Sequence, residues 1–545
     1  MHPERQLSLI NCATAGSRRQ FIVTSASLAA AAVWSSRAVG ALKQNVKLPD
    51  HPFQLGVASG DPSPDGFVIW TRLAPRPLEG GGMPSEAVEV AWQVAEDEAM
   101  SRVVQKGTTV ASPDWAHAVH VEVAGLKAKR PYWYQFKAAG QTSPVGRTRT
   151  LPASYAMPAV LKFAFASCQH YEQGLYTAYE HMAKEDLDLV IHLGDYIYEG
   201  AGRAPQADAA KPGDGKKGGG GSRLVRRHIG PKLTTLEDFR VRHAQYKSDP
   251  LLQAVHALFP WLVTWDDHEF ENNCAGDISE RQGVTREEFL KLRANAYKAY
   301  YEHMPLRRAN LPTGPDMQLY RRVAYGRLAE FSVLDTRQYR TDQPCGDGTR
   351  PPCDEMLNPA ATLLGERQEK WLLSGLAQSP ATWNVLAQQV MMGRVDRAAD
   401  DRMTYSMDQW PGYEMNRRRI LNFFAKRKVA NPVVLTGDIH SNWVNNLNLD
   451  FDGLDGRTVA TEFVGTSISS GGDGSATPRD LEGILRDNPF VKFHNTQRGY
   501  VRCEVTPKSW KSDYQMVEYV SRPGAGLITR GSFVVEAERP GAQPA

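Results

Sequence analysis

The stretch Leu187-Asp-Leu-Val-Ile-His-Leu-Gly-Asp-Tyr-Ile-Tyr-Glu199 decides how this chain is read. Its apolar, β-prone core, Leu189 to Leu193, has the form of a strand buried on both faces of an α/β sheet. Gly194 then turns the backbone, and an acid and two phenols follow at once. The carboxyl end of such a strand is where open α/β sheets build their sites. The same design returns in Pro260-Trp-Leu-Val-Thr-Trp-Asp-Asp-His-Glu269 and in Val433-Val-Leu-Thr-Gly-Asp-Ile-His440. Hard metal ions take carboxylates and imidazoles from several segments together. Three such strand ends therefore point to a polynuclear metal site with hydrolytic chemistry.

Outward from these runs, strands and helices alternate from about residue 158. Strands are expected over 159–166, 187–193, 329–335, 383–390, 432–436 and 461–470, and helices over 176–185, 237–246 and 286–303. Residues 501–535 read as β and are expected to close the second sheet of this catalytic domain, 158–537. Residues 46–155 read as short alternating strands such as Gly66–Thr71, Val88–Gln93 and Tyr132–Phe136, separated by turns. The last hairpin, Leu126–Phe136 followed by Gly146–Thr150, gives this small domain the look of a fibronectin-type-III-like β-sandwich. The fold class is thus α/β (α+β) behind a β-sandwich domain. Residues 203–233 hold Lys216-Lys-Gly-Gly-Gly-Gly-Ser222, a flexible excursion that is either a lid over the site or a solvent loop.

Composition adds limits. The chain has 545 residues, 41% hydrophobic and 23% charged, and a net charge of +3. Arg5, Arg18, Arg19 and Arg37 against Glu4 account for that excess, so nothing basic is left to bind nucleic acid. Residues 1–40 carry Ser17-Arg-Arg-Gln-Phe-Ile22, an uncharged Ala/Ser-rich run and a small-residue exit. They read as a twin-arginine signal peptide, with the twin-arginine export machinery as partner and a periplasmic or secreted destination. The run is shorter than the roughly 20 apolar residues of a transmembrane helix, so no transmembrane anchor is expected. Of six cysteines, Cys12 lies in the leader. Cys345 and Cys353 flank a Gly/Pro loop that a disulfide is expected to close.

Residue by residue, Asp195 can bridge two ions because a carboxylate has two oxygens. Tyr196 and Tyr198 sit beside it, and a phenolate is a hard ligand suited to ferric iron. Cys168 ends the strand Phe163-Ala-Phe-Ala-Ser-Cys168 as a thiolate candidate. Asp266, Asp267 and His268 are expensive together unless a cation is near. Asn272 and Asn273 offer neutral oxygens one turn on. His268 is placed to contact phosphate or protonate a leaving group. Asp438 and His440 share one face of an extended segment, with Ser441 and Asn442 continuing it. Singly, each has a bland reading as a cap or as packing; jointly they imply displacement at phosphorus. No G-x-S-x-G elbow, Walker loop or dinucleotide fingerprint competes.

Several ordered motifs support a family assignment. They are Phe165-Ala-Ser-Cys168, Gly194–Glu199, Tyr246-Lys-Ser-Asp-Pro250, Pro260–Glu269, Leu334-Asp-Thr-Arg-Gln-Tyr339, Asp408-Gln-Trp-Pro-Gly-Tyr413 and Leu435–His440. Over essentially its whole length the chain resembles the alkaline phosphatase D (PhoD-like) family of calcineurin-like metallophosphoesterases. The resemblance implies a metallophosphoesterase αββα sandwich. It also implies secreted phosphoester hydrolysis at alkaline pH, with Fe3+ and Ca2+ in one site and a metal-activated water or hydroxide. By that analogy Cys168, Asp195, Tyr198 and His440 are iron ligands. Asp195 bridges to calcium, Asp267, Asn273 and Asp438 are further ligands, and His268 and Asp195 are catalytic. Which of Asp266 and Asp267, and of Asn272 and Asn273, ligates stays open. Similar proteins also suggest a phospholipase D-like diesterase acting on lipid head groups. A non-catalytic phosphate-binding protein is the reading from another class.

Overall fold

The computed structural model describes residues 47–202, 224–398, 402–451 and 456–545. The leader at 1–40 and the Gly-rich run at 216–222 lie outside the described residues. Two sheets form the centre. The first has ten strands in the order 539–544, 527–536, 509–517, 499–505, 161–166, 189–192, 260–263, 57–63, 66–72 and 118–123. The second has seven, in the order 321–325, 329–333, 383–387, 432–436, 458–464, 442–448 and 491–495.

Side-chain alternation explains the layering. Phe163, Phe165, Leu189, Ile191 and Leu262 of the first sheet meet Phe331, Val385, Val433, Leu435 and Phe463 of the second in one core. Phe163 touches Phe331 across the layers edge to face, with centroids 5.4 Å apart. Truncating such a buried ring costs about 3–5 kcal/mol. The intervening residues face outward. Ala164, Val190 and Trp261 pack against Tyr179, Phe239, Val255 and Tyr297 of the helices Thr177–Met182, Leu236–Lys247, Pro250–Leu258 and Arg286–His303. Leu386 and Val434 pack against Leu372, Ile420 and Leu421 of the helices Gly365–Gln378 and Glu414–Arg427. The result is the αββα sandwich that the resemblance implies.

Two expectations change. Strands Gly499–Val505, Ser509–Val517 and Leu527–Glu536 do not close the second sheet. Gly499–Val505 pairs antiparallel with Leu161–Ala166, so this run extends the first sheet. The strand expected to end at Ser470 stops at Val464, and the chain then runs beside the Ser167–Cys168 strand end, where the Ile468 N–H donates to the Ser167 carbonyl and the Ser470 hydroxyl to the Cys168 carbonyl.

In the N-terminal region, a five-stranded sheet built on Val88–Ala95 and Pro131–Ala138 packs against Val57–Ser63, Gly66–Arg72 and Ala118–Val123. The hairpin partners are as read, with Pro131–Ala138 paired to Gly146–Arg149. One of the two layers is nevertheless shared. Val57–Ser63 runs parallel to Pro260–Val263, the strand leading to Asp267, through Ser59 opposite Pro260 and Gly60 opposite Trp261. The sandwich thus continues the sheet that carries the site.

Candidate metal centre

Four strand ends converge. Cys168 follows Leu161–Ala166, Asp195 follows Leu189–His192, Asp267 and His268 follow Pro260–Val263, and Asp438 and His440 follow Pro432–Thr436. The first three strands are neighbours in the first sheet and the fourth lies in the second, so the site straddles the carboxyl edge of the sandwich. No helix follows His268 directly; the chain turns at Asp267, whose carbonyl accepts from Phe270 N–H at 2.9 Å.

The donor atoms cluster. Side-chain atoms of Cys168, Asp195 and His440 all lie within 4.8 Å of one another, and those of Asp195, Asp267 and His268 form a second such group. The Tyr198 hydroxyl donates to Asp195 Oδ2 at 2.8 Å and stands 3.0 Å from His440 Nε2. Asp195 Oδ1 is buried and has no hydrogen-bond partner. A buried carboxylate oxygen with no protein partner fits a cation, because such an orphan otherwise costs about 1–3 kcal/mol. The donor set around it, a thiol, a phenol, an imidazole and carboxylates, also fits metal. The third donor group, Cys345, Cys353 and Glu355, is different in kind, because its two sulfurs are joined in a disulfide.

Backbone geometry marks the same residues. Cys168, Asp195, Asn273, Asp438 and His440 have φ of 58°, 56°, 48°, 63° and 55°. This left-handed region costs a non-glycine residue about 1–3 kcal/mol, a strain concentrated on five of the seven residues proposed from sequence as ligands. Gly194 is required, because a Cβ there would stand 2.5 Å from the Asp266 backbone nitrogen.

The acids differ in their surroundings. Burial works against ionisation of Asp267, but Arg337, His268 and the Asn273 N–H outweigh it and hold its pKa below the usual carboxylate range. Burial pushes Asp438 up to about 6, with Arg337 opposing. Asp266 is tied to Arg337 Nε and lies apart from the Asp195–Asp267–His268 group. The Asn272 amide donates to Glu280 at 2.8 Å, while the Asn273 N–H donates to Asp267 Oδ2 at 2.7 Å. Cys168 and Tyr198 are pushed well above their usual pKa values by burial and by the Asp195 carboxylate, so a cation is needed to draw off their protons.

Comparison with known proteins agrees. Residues 163–514 match the PhoD-like phosphatase family, and residues 39–152 match the family's N-terminal domain. The chain is 51% identical to alkaline phosphatase D of Bacillus subtilis (strain 168) over 528 residues, covering 96% of this chain and 88% of that protein. A solved structure described as PhoD superposes with a TM-score of 0.87 at 52% identity, covering 92% of this chain and 93% of that one. The chain belongs to the PhoD-like phosphatases. It is a hydrolase of phosphoric esters.

This PhoD-like site rests on residues that strand-end reading did not assign roles. Glu269, almost fully buried, accepts from the backbone N–H groups of Asp195, Tyr196 and Asp266. Arg337 reaches Asp266 and Asp408 and approaches Asp267 and Asp438 to 3.6 and 3.5 Å. The Gln389 side chain donates to the carbonyls of Trp265 and Leu334, and its backbone carbonyl takes the Gly437 N–H, stitching the two sheets together. Arg498 is buried, donates to the carbonyls of His440 and Ser470, and has no carboxylate within 4 Å among the described residues. The Pro260–Glu269 and Leu334–Tyr339 motifs contained Glu269 and Arg337 without giving either a role, and no motif reached Gln389 or Arg498. His192 of the decisive strand is no ligand. It lies buried toward Trp261, and burial takes its pKa down to about 3.

Three cysteines are free and buried among the described residues, Cys168, Cys274 and Cys503, while Cys345 and Cys353 form the expected disulfide. Among the described residues no helix is long and apolar enough to cross a membrane.

Proposed function

We propose that this chain is an exported alkaline phosphatase that releases phosphate from phosphomonoesters and phosphodiesters at a site holding ferric iron beside calcium. The observation carrying this reading is that both donor groups share Asp195, whose Oδ1 is buried without a protein partner. Cys168, Tyr198 and His440 form the iron side, since thiolate, phenolate and imidazole suit a transition metal. Asp267, Asn273 and Asp438 form an oxygen-only side that suits calcium. Bound there, the cations supply positive charge for the phosphate oxygens and lower the pKa of a water.

The chain's own residues supply the rest. His268 Nδ1 pairs with Glu199 Oε2 at 2.7 Å, and its ring lies over Tyr198 with centroids 4.2 Å apart. Burial disfavours its charge, but Glu199, Asp267 and Asp195 outweigh that and hold its pKa well above the usual imidazole value. With Nδ1 turned to Glu199, Nε2 is the edge of His268 left to donate a proton to a phosphate or leaving-group oxygen. All the proposed site residues fall within 158–537, which supports that segment as the catalytic unit and 46–155 as an accessory one. Arg18 and Arg19 support twin-arginine export, and a disulfide accords with an oxidising destination.

The test is metal analysis and a visible spectrum of the leader-free protein, alongside turnover of p-nitrophenyl phosphate. Iron with calcium, a purple tint and phosphate release are expected. A colourless protein with zinc or no metal would remove Cys168 and Tyr198 from the ligand set.

A further inference from the structure

We propose that Asp347, on the disulfide-closed loop, is a positioning residue that fixes which edge of the Asn273 amide faces the calcium side of the site. The inference rests on the calcium reading above. Asn273 Nδ2 donates to Asp347 Oδ2 at 3.1 Å. A carboxylate only accepts, so the NH2 edge must face Asp347 and the amide oxygen must take the other edge. That oxygen accepts no hydrogen bond among the described residues, which leaves it free for a hard cation. The backbone of Asn273 is held as well. Its N–H goes to Asp267 Oδ2 at 2.7 Å and its carbonyl accepts from Gln343 Nε2 at 2.7 Å. With the main chain fixed on both sides, only rotation of the amide remains to be set.

The loop carrying Asp347 is built to hold still. The disulfide joins Cys345 to Cys353, with Cα atoms 6.1 Å apart. Thr349 and Arg350 pair antiparallel with Ser406 and Tyr405. The Met407 N–H reaches the Gly348 carbonyl at 2.9 Å, and Arg350 Nε reaches the Asp347 carbonyl at 2.9 Å. Gln343, just before the loop, also donates to Asp408 Oδ1 at 2.8 Å, the acid that Arg337 and Arg340 share. The Asp347 side chain itself gains little from this arrangement. Among the described residues its one hydrogen bond goes to Asn273, and Oδ1 is buried without a partner. A loop acid kept at that cost serves the residue it touches rather than the loop. Groups that orient a metal ligand typically account for 10–100-fold in metal affinity.

The experiment is equilibrium dialysis of calcium chloride into the EGTA-treated full-length protein, with iron content and thermal midpoint measured on the same samples. Wild type, Asp347→Ala and Asp347→Asn are compared. Asp347→Ala is expected to weaken calcium binding at least ~10-fold with iron retained. Asp347→Asn keeps an acceptor oxygen for the Asn273 NH2 and is expected to stay within ~3-fold of wild type, well inside that loss. Equal calcium affinity in wild type and Asp347→Ala would overturn the proposal. So would equal weakening in both variants, because the negative charge, not the hydrogen bond, would then be what matters. A wild type that binds no calcium would instead overturn the underlying calcium reading, and this inference with it.

Discussion

Glu269 Oε2 accepts the backbone N–H of Asp195 at 3.0 Å, clamping the loop of one acidic run to the loop of another. The same carboxylate takes the N–H groups of Tyr196 and Asp266, and it is 1% exposed. In Glu269→Gln one oxygen becomes an NH2 that must face a backbone N–H. A lost bond with a donor left buried costs about 1–3 kcal/mol. The expected outcome is a lower thermal midpoint and a fall in kcat of about 10–100-fold as Asp195 loses its fixed position. Calorimetry and turnover on metal-analysed protein check both; an unchanged midpoint would refute the clamp.

Much of this was legible in the sequence. The runs ending at Asp195, Asp267 and Asp438 stood out because a strand buried on both faces leaves a continuous apolar signature, and the acids follow it immediately. The helix Arg286–His303 has the bounds expected because Thr285 and Glu288 form a capping box. The helix Glu414–Arg427 was not read, since Arg417, Arg418 and Arg419 interrupt its apolar stripe. Assigning residues 501–535 to the second sheet failed because strand pairing is a tertiary property that no local pattern encodes. Arg337 stayed without a role for the same reason, its partner Asp266 being 71 residues away.

Tyr198→Phe removes the hydroxyl that meets Asp195, His440 and Ser470 within 3.0 Å. The ring contact with His268 survives. We expect loss of the visible phenolate-to-iron band with the fold intact, and turnover reduced at least ~10-fold, as for lost metal-orienting groups. An unchanged spectrum in protein of full iron content would reassign the iron ligand.

Glu199→Gln tests the proton on His268. Burial lowers the His268 pKa and Glu199 is foremost among the carboxylates that raise it. Removing that charge should drop the pKa, so the imidazole loses its proton at lower pH. The alkaline limb of the kcat profile should therefore move to lower pH, as expected for losing a buried charge partner. A pH–rate profile from 6 to 11 on both proteins reads this directly, and coincident alkaline limbs would remove His268 as the proton donor.

Lys247 links the fold to alkaline conditions. Its ammonium is buried, 4.4 Å over the Trp70 ring and 3.5 Å from His256 Nε2, with no carboxylate within 4 Å among the described residues. Burial takes its pKa from 10.5 down to about 7. Between those values the unfolded chain holds a proton that the folded chain has released. The unfolded state thus binds more protons, and stability rises with pH across that window by up to about 1.4 kcal/mol per unit. Below about 7 both states are charged and the penalty is constant; above 10.5 both are neutral and it vanishes. Lys247→Met removes the titration while filling similar space. The gain in thermal midpoint of Lys247→Met over wild type should be largest at pH 7 and shrink steadily toward pH 10. Differencing the two proteins cancels the titrating groups that Lys247 does not touch, so a gain independent of pH would mean that Lys247 is not the group that couples stability to alkalinity.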